Sequence, residues 1–488
     1  MSFSLSTRSR PMSHVEGMDR DQMTLFPEAL DDYVSEENPV RFIDAFVGSL
    51  DLECLDFTHA VPNELGRPPY NPADLLRLFI YGYLNRVRSS RQLEREANRN
   101  VELMWLLRRL APDFKTLADF RKDNPQAIRG VCREFIAFCR ELRLFGGELV
   151  AIDGSKFKAV NARHRNFSAR KLKNQTDEIE TKIQEYLDEL EKNDQEEADL
   201  PTLTAEELKK KIEILRERKR KLRALGKQMH QSAQTQVSLT DPDSRSMPAG
   251  KGHGTDVAYN VQVTVDAKHK LILDHEVTND PTDRGHLSAM AIRARDLLGV
   301  RRLQAVADMG YYDGEEVKAC AEAGIKTFMP KPITSANRPL GLFTKEDFRY
   351  DARKDCYRCP AGQRLAFRFQ TRELGRDVRY YATPACVGCR LRPRCTRNAG
   401  GRRITRSADE GFLEAMERRV RSHPEKLKRR KGIVEHPFGT IKRSMNQGYF
   451  LTRGLKNVGT EMSLSVLAYD LLRAVNILGV PRMIRALA

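Results

Sequence analysis

What the sequence has little of narrows its class first. No stretch approaches the roughly 18 consecutive apolar residues that a membrane span needs, so no membrane partner is expected. The opening residues, MSFSLSTRSRPMSHVEG, lack the apolar centre of a secretory signal, and a cytoplasmic location is expected. No internal repeat occurs, which sets aside solenoids and propellers. Acids are in deficit: 67 Asp and Glu stand against 84 Lys and Arg, a net charge of +17. At 488 residues the chain has room for about three domains, each able to bury a core.

The excess positive charge is concentrated. Between Arg390 and Arg443 there are 17 Lys and Arg and 6 Asp and Glu, a net +11 in 54 residues. Scattered charge would describe an ordinary solvated surface. A dense basic field points to a polyanion, because Lys and Arg displace counterions condensed on phosphates. DNA is the expected partner, and Arg402, Arg403, Arg429, Arg430, Lys431 and Arg443 are its candidate phosphate contacts.

Of nine cysteines, Cys54, Cys132, Cys139 and Cys320 are dispersed, the last three among helical apolar residues as small hydrophobes. The other five fall between Cys356 and Cys395. Cys356 and Cys359 form one CxxC pair and Cys386 and Cys389 another, with 26 residues between the pairs. In a cytoplasmic chain two such pairs read as one structural Zn²⁺ site, each tight turn presenting two thiolates. Cys395 is a fifth candidate, so four of the five are the expected ligands. The segment has few apolar runs, and a metal would supply folding energy that its core lacks.

Apolar periodicity gives the order of elements. From Val40 to about Phe145 the pattern is helical, with Asn71 capping a helix that begins at Pro72, Asp74 complementing its dipole, and Ser90 capping a short one. Two short helices around Asn98–Asn100 are compatible with a helix-turn-helix and equally with an ordinary bundle. GELVAIDGSKFKAV, residues 147–160, reads as a strand ending at Asp153 on a small-residue turn. Leu172, Ile179 and Tyr186 then repeat at sevens, and Thr204 with Glu207 forms a capping box before Leu208, Ile212, Leu215 and Leu222. That segment predicts a charged helical hairpin. YNVQVTVD and KLILDHEVT predict a β-hairpin, residues 284–298 a helix, LQAVAD a buried strand ending at Asp308, residues 314–323 a helix, and KTFMP a strand. Glu435 is expected at the head of a later helix, and TEMSLSVLAYDLLRAVNIL as an amphipathic helix.

Asp153, Asp308 and Glu435 stand out by placement. An acid at the end of a buried strand reaches into a cleft while the strand fixes its position. Three carboxylates so placed can hold two Mg²⁺ ions about 3.5–4 Å apart, and the absence of His or Cys from the set suits that cation. Each acid alone is no more than a common turn residue.

The order strand–acid, hairpin, helix, strand–acid, insertion, helix–acid resembles the DDE transposases of bacterial insertion sequences. DGSKFKAVNAR, LTDPDSRSM, AYNVQVTVD, VADMGYYDG and VEHPFGTIKR carry the resemblance, which runs from about Arg67 to the last helix. It implies an α/β fold: an RNase H-like catalytic core (147–160 and 231–337) with an all-α N-terminal domain (40–146) after a tail (1–39). An inserted helical hairpin (161–230), a basic cysteine-rich insertion (338–430) and C-terminal helices (431–488) complete the division. It implies Asp153, Asp308 and Glu435 as ligands of two Mg²⁺, with Mn²⁺ able to substitute. Lys442, six residues beyond Glu435, would hold a phosphate near the cut. The family's upstream Tyr and Arg are replaced here by Lys428 and Lys431, and the single tryptophan, Trp105, lies far from the core.

The implied chemistry is in-line phosphoryl transfer: a strand is cut at the element's end, and the freed 3′-hydroxyl attacks target DNA without a covalent protein intermediate. The implied partners are the element's terminal inverted repeats, target DNA and a second copy of the chain. Two alternatives remain at this point: a zinc-containing DNA-binding regulator without catalysis, and a metal-dependent nuclease that cuts without joining.

Overall fold

The computed structural model describes residues 29–61, 68–195, 204–231, 235–248, 254–333, 335–373 and 375–487. Most of the tail 1–39 and of the linker 192–201 lies outside them. Six helices come first: α1 (Pro39–Gly48), α2 (Pro72–Leu84), α3 (Ser90–Ala97), α4 (Val101–Leu106), α5 (Phe114–Asp123) and α6 (Pro125–Glu141). Asn38, Asn71, Asn100 and Asp113 each accept a hydrogen bond from the amide two residues on, so the caps sit where short polar side chains precede apolar runs. Ser90 is not a cap: it is the first residue inside α3, and Ser89 before it makes no side-chain cap bond. Asp74 is buried, and pairs with Arg77 at 3.0 Å and Arg108 at 3.2 Å as well as lying in the first turn of α2.

The central sheet contains β1 (Leu149–Lys158), β4 (Arg245–Pro248), β5 (Thr255–Asp266), β6 (Ile272–Thr278), β7 (Leu303–Val306) and β8 (Ile325–Phe328). A small pair, β2 (Asn166–Ser168) and β3 (Gln236–Ser238), stands apart. β5 pairs antiparallel with β1 on one side and with β4 and β6 on the other, while β7 and β8 run parallel to β1. The parallel connections pass through α9 (Leu287–Leu298) and α10 (Gly314–Glu322). Alternation along β1 divides two cores: Val150 and Ile152 pack with α9, β7 and α10, whereas Ala151 and Phe157 pack on the opposite face, in the core shared with α1–α6.

The segment read as a charged hairpin forms α7 (Ala169–Gln195) and α8 (Ala205–Gln231). Leu172, Ile179, Leu222 and Met229 make a thin seam closed by Phe167 and Val237 of the small strand pair. The capping box is present: Glu207 accepts from the Thr204 amide at 3.0 Å, and Thr204 accepts from that of Glu207 at 3.3 Å.

The cysteine-bearing segment forms its own antiparallel sheet of β9 (Arg349–Asp351), β10 (Cys356–Arg358), β11 (Arg364–Glu373), β12 (Arg376–Ala382) and β13 (Ile404–Ser407). Then follow α11 (Glu410–Ser422), α12 (Pro424–Gly439), a π-helical turn over Thr440–Ser444, α13 (Leu455–Leu478) and α14 (Val480–Arg485). Glu435 therefore lies toward the C-terminal end of α12, not at the head of a helix. Pro424 starts the helix, and Pro437 lies inside its last turn, just before the π turn.

α13 is not amphipathic. It is buried on all sides from Thr460 to Leu471, between β6 and the N-terminal helices α2 and α6. Its polar residues are satisfied internally. Thr460, Ser463 and Ser465 donate to carbonyls one turn back, and the Asp470 carboxylate accepts from the Ile272 amide at 2.8 Å. Glu461, fully buried, accepts from the Leu451 and Thr452 amides at 3.0 Å and from Arg88 at 3.2 Å. Arg88 also donates to the carbonyls of Asn446 and Tyr449, so one buried ion pair ties the α2–α3 loop to the segment that follows α12. Glu461→Ala leaves a buried guanidinium and several amides unpaired and is expected to cost about 3–5 kcal/mol. A urea midpoint unchanged from the parent chain would contradict that role.

Candidate active site and cysteine cavity

Asp153 and Asp308 occupy equivalent positions on neighbouring parallel strands. The β1–β7 ladder ends at the rung Ala151–Val306, and each aspartate lies two residues past its strand's last rung. Asp153 does not end β1, which continues to Lys158 through its pairing with β5. Only the β7 side is open there, so the carboxylate reaches the notch where the two strands part. Asp308 caps the turn Met309–Tyr311, its Oδ1 accepting from the Gly310 amide at 2.7 Å. Gly154 has no left-handed backbone; its role is space, since a Cβ there would fall 2.3 Å from the Asp283 carboxylate.

Burial pushes the Asp153 carboxyl up to about 6; Arg430 opposes the shift, and the charges of Asp308 and Asp283 add to it. Arg430 reaches from α12 and donates to Asp153 Oδ2 at 2.8 Å. The structure thus gathers Asp153, Asp308 and Asp283 at one notch, faced by Arg430. Glu435 is exposed and makes no hydrogen bond or ion pair among the described residues, the aspartates of the notch included. Five residues beyond Arg430, it lies about 7.5 Å further along the helix axis and about 140° around it.

Lys442 sits in the π turn and points back at β1. Its Nζ donates to Ser155 Oγ at 2.6 Å and to the Lys156 carbonyl at 2.8 Å, and it lies 4.4 Å above the Phe157 ring. Burial, with the nearby Lys156 charge, lowers its ammonium to about 8. The candidate phosphate contacts divide. Arg403, Arg429, Lys431 and Arg443 are exposed; Arg430 is committed to Asp153; Arg402 is half-buried over Phe348 at 5.5 Å.

In the cysteine-bearing sheet, Cys359, Cys386, Cys389 and Cys395 line one apolar cavity with Phe343, Phe348, Leu365 and Arg402. Burial raises the Cys395 thiol; Arg402 opposes this, and the other three thiols are near enough to raise it further. Cys356 is apart. Tyr357 packs into the small core that Cys359 and Cys395 border, so Cys356, one residue out of phase on β10, belongs to the other face. Cys132, Cys139 and Cys320 are buried, as their apolar surroundings imply. Among the described residues, no group of three or more His, Cys, Asp or Glu side chains is arranged to hold a metal ion, and no helix is long and apolar enough to cross a membrane.

Comparison with known families adds to this geometry. Residues 28–123 match the family model of a transposase domain (DUF772), and residues 358–475 match that of a transposase DDE domain. Both matched models describe transposase domains. More narrowly, the two matches support an insertion-sequence DDE transposase, the family that the sequence resembles. The second match contains Glu435 and Lys442; Asp153 and Asp308 precede it. No curated protein and no solved structure matches the chain.

Proposed function

We propose that the chain cuts the ends of its insertion sequence and joins them to target DNA by in-line phosphoryl transfer, on an RNase H-like core. The sheet order β6–β5–β1–β7–β8, with β5 antiparallel to β1 and β7 and β8 parallel to it, supports that core. The observation that carries the reading is the pair Asp153 and Asp308 at matching exits of β1 and β7. Asp308 lies close enough for its charge to help raise the Asp153 carboxyl, and a basic helix faces the pair.

The donor chemistry suits a hard divalent cation, although the side chains are not already arranged around one: carboxylates at a half-buried notch, with a raised Asp153 carboxyl that a nearby positive charge would return to its ionised form. Asp153, Asp308 and Glu435 would hold Mg²⁺, or Mn²⁺ in its place. Two such ions supply Lewis acidity to the attacking and leaving oxygens. Arg430 now neutralises Asp153 and would release it to the cation, becoming free to meet a phosphate. Glu435 would join the aspartates when DNA engages exposed Arg429 and Lys431 on the same helix. Lys442 steadies the extended part of β1 just past Asp153.

In this reading the N-terminal helices bind DNA, residues 161–230 and 338–430 are insertions in the core, and Zn²⁺ is held by Cys359, Cys386, Cys389 and Cys395. Two copies pair two element ends in the cytoplasm. A strand-transfer assay on DNA carrying the sequences that flank the gene tests the function. Cutting and joining supports it; cutting alone indicates a nuclease, and binding alone a regulator.

A further inference from the structure

Asp283, which no motif in the sequence singles out, precedes α9 in the loop that leaves β6. Its Oδ1 accepts from Asn260 Nδ2 at 2.8 Å and from Gln262 Nε2 at 2.7 Å, and lies 3.6 Å from Lys156 Nζ. Gln262 is itself held by the Tyr311 hydroxyl, which donates to its Oε1. One carboxylate oxygen is thus clamped by two amides on adjacent same-face positions of a central strand. The other, Oδ2, has no hydrogen bond among the described residues. It faces Asp308: from the point where a Cβ on Gly310 would lie, Asp308 Oδ1 is 3.0 Å away and Asp283 Oδ2 3.5 Å. The two oxygens are therefore no more than 6.5 Å apart, on either side of the space above Gly310.

A second feature of the notch calls for a ligand. Asn260 is fully buried, yet its Oδ1 has no partner among the described residues. That oxygen lies 3.0 Å from where a Gly154 Cβ would be, beside Asp153. A buried amide oxygen left unpaired is costly unless a cation, its water shell or another donor meets it. Glycines at 154 and 310 keep the space open on both sides.

We propose that Asp283 is a further carboxylate of the cutting site, sharing a divalent cation with Asp308 through Oδ2 while Asn260 and Gln262 hold Oδ1. This rests on the reading of Asp153 and Asp308 as cation ligands. It adds that, before DNA arrives, the third acid at the notch is Asp283, with Glu435 still outside. Cation binding in the DNA-free chain then depends on Asp283 and not on Glu435.

The test is Mn²⁺ titration of the full DNA-free chain, followed by the loss of free-ion electron paramagnetic resonance signal. Asp283→Asn keeps an oxygen to accept from Asn260 and Gln262 and removes the charge at Oδ2, so its melting temperature should hold while Mn²⁺ affinity falls at least tenfold. Gly154→Ala, which drives a methyl into Asp283 Oδ1 and leaves every carboxylate present, should weaken Mn²⁺ as well. Glu435→Gln should bind Mn²⁺ as the parent does. Wild-type affinity in Asp283→Asn, with binding lost in Asp153→Asn and Asp308→Asn, would overturn the role of Asp283 alone. Undiminished binding in all three would overturn the reading of the notch as a cation site.

Discussion

Replacing Asp153, Asp308 or Glu435 by Ala is expected to reduce Mg²⁺-dependent cutting of element-end DNA by about a thousandfold or more. Binding of the same DNA should change only a few-fold. The separation follows from where the charges sit. On the proposed function, affinity for DNA would come from exposed cations such as Arg403, Arg429, Lys431 and Arg443, none of which is paired to these acids. Removing a carboxylate from the notch makes the surface slightly more basic and cannot weaken phosphate contacts by charge. The three variants should differ in one respect. Asp153→Ala frees Arg430 from its 2.8 Å ion pair, and should bind DNA at least as tightly as the parent chain. Gel-shift and cleavage assays on one set of preparations check both halves. Full cleavage by Glu435→Ala would remove that residue from the site and leave the notch to its aspartates.

The second large effect is expected in the cysteine-bearing sheet. Its core consists of Phe348, Tyr357, Leu365, Tyr381 and Ile404, with Arg-rich strands around it. Burial on that scale is small beside the entropy of ordering five strands, whereas a tetrahedral Zn²⁺ site contributes about 10–16 kcal/mol in small zinc domains. Cys359→Ser, Cys386→Ser, Cys389→Ser and Cys395→Ser should each lose the metal and open this segment to protease. Cys356→Ser should keep both metal and protection, because its side chain is on the other face of β10. Metal analysis of protein purified without added zinc should find about one Zn²⁺ per chain. Zinc retained in Cys395→Ser but lost in Cys356→Ser would restore the set of two CxxC pairs; reduced, folded chain without zinc would exclude the site.

The difference between those two sets shows where spacing ceases to inform. Spacing placed Cys356 with Cys359, as two thiols in one tight turn. In the structure Cys356 is a strand residue paired with Ala366 and Asp351, and only Cys359 enters the turn. The strand reaches one residue too far for both thiols to face one way. Cys395, six residues past Cys389, comes back through the helical turn Arg392–Arg394. Nothing in a CxxC pattern encodes that return.

Around the acids, what was legible was periodicity and what was not was reach. Strands β1, β5, β6, β7 and β8 were readable because buried strands carry β-branched runs, though β1 continues past Asp153 to Lys158, and the helical hairpin because its seam repeats at sevens. Asp153 and Asp308 were readable for the same reason, as acids interrupting apolar strands. Asp283 was not: it lies in a polar loop, NDPTDRG, where an aspartate is ordinary. The trace it left was indirect. Asn260, Gln262 and Thr264 alternate with Val261, Val263 and Val265, a pattern that normally marks a solvent face, yet all three polar residues are buried. Likewise α13 reads as amphipathic because Thr460, Ser463 and Ser465 are polar, and their use of their own helix carbonyls removes the need for water.

Asp153, Asp308 and Glu435 are proposed to share bound cations once DNA engages the chain. Mn²⁺ stoichiometry on the full chain bound to DNA carrying the gene's flanking sequences tests this most directly. Two Mn²⁺ per cutting site are predicted, with affinity lost in Asp153→Asn and Asp308→Asn and weakened at least tenfold in Glu435→Gln only once DNA is present. Wild-type Mn²⁺ binding by the DNA complex of Glu435→Gln, or cutting by a complex that holds no divalent ion, would contradict it.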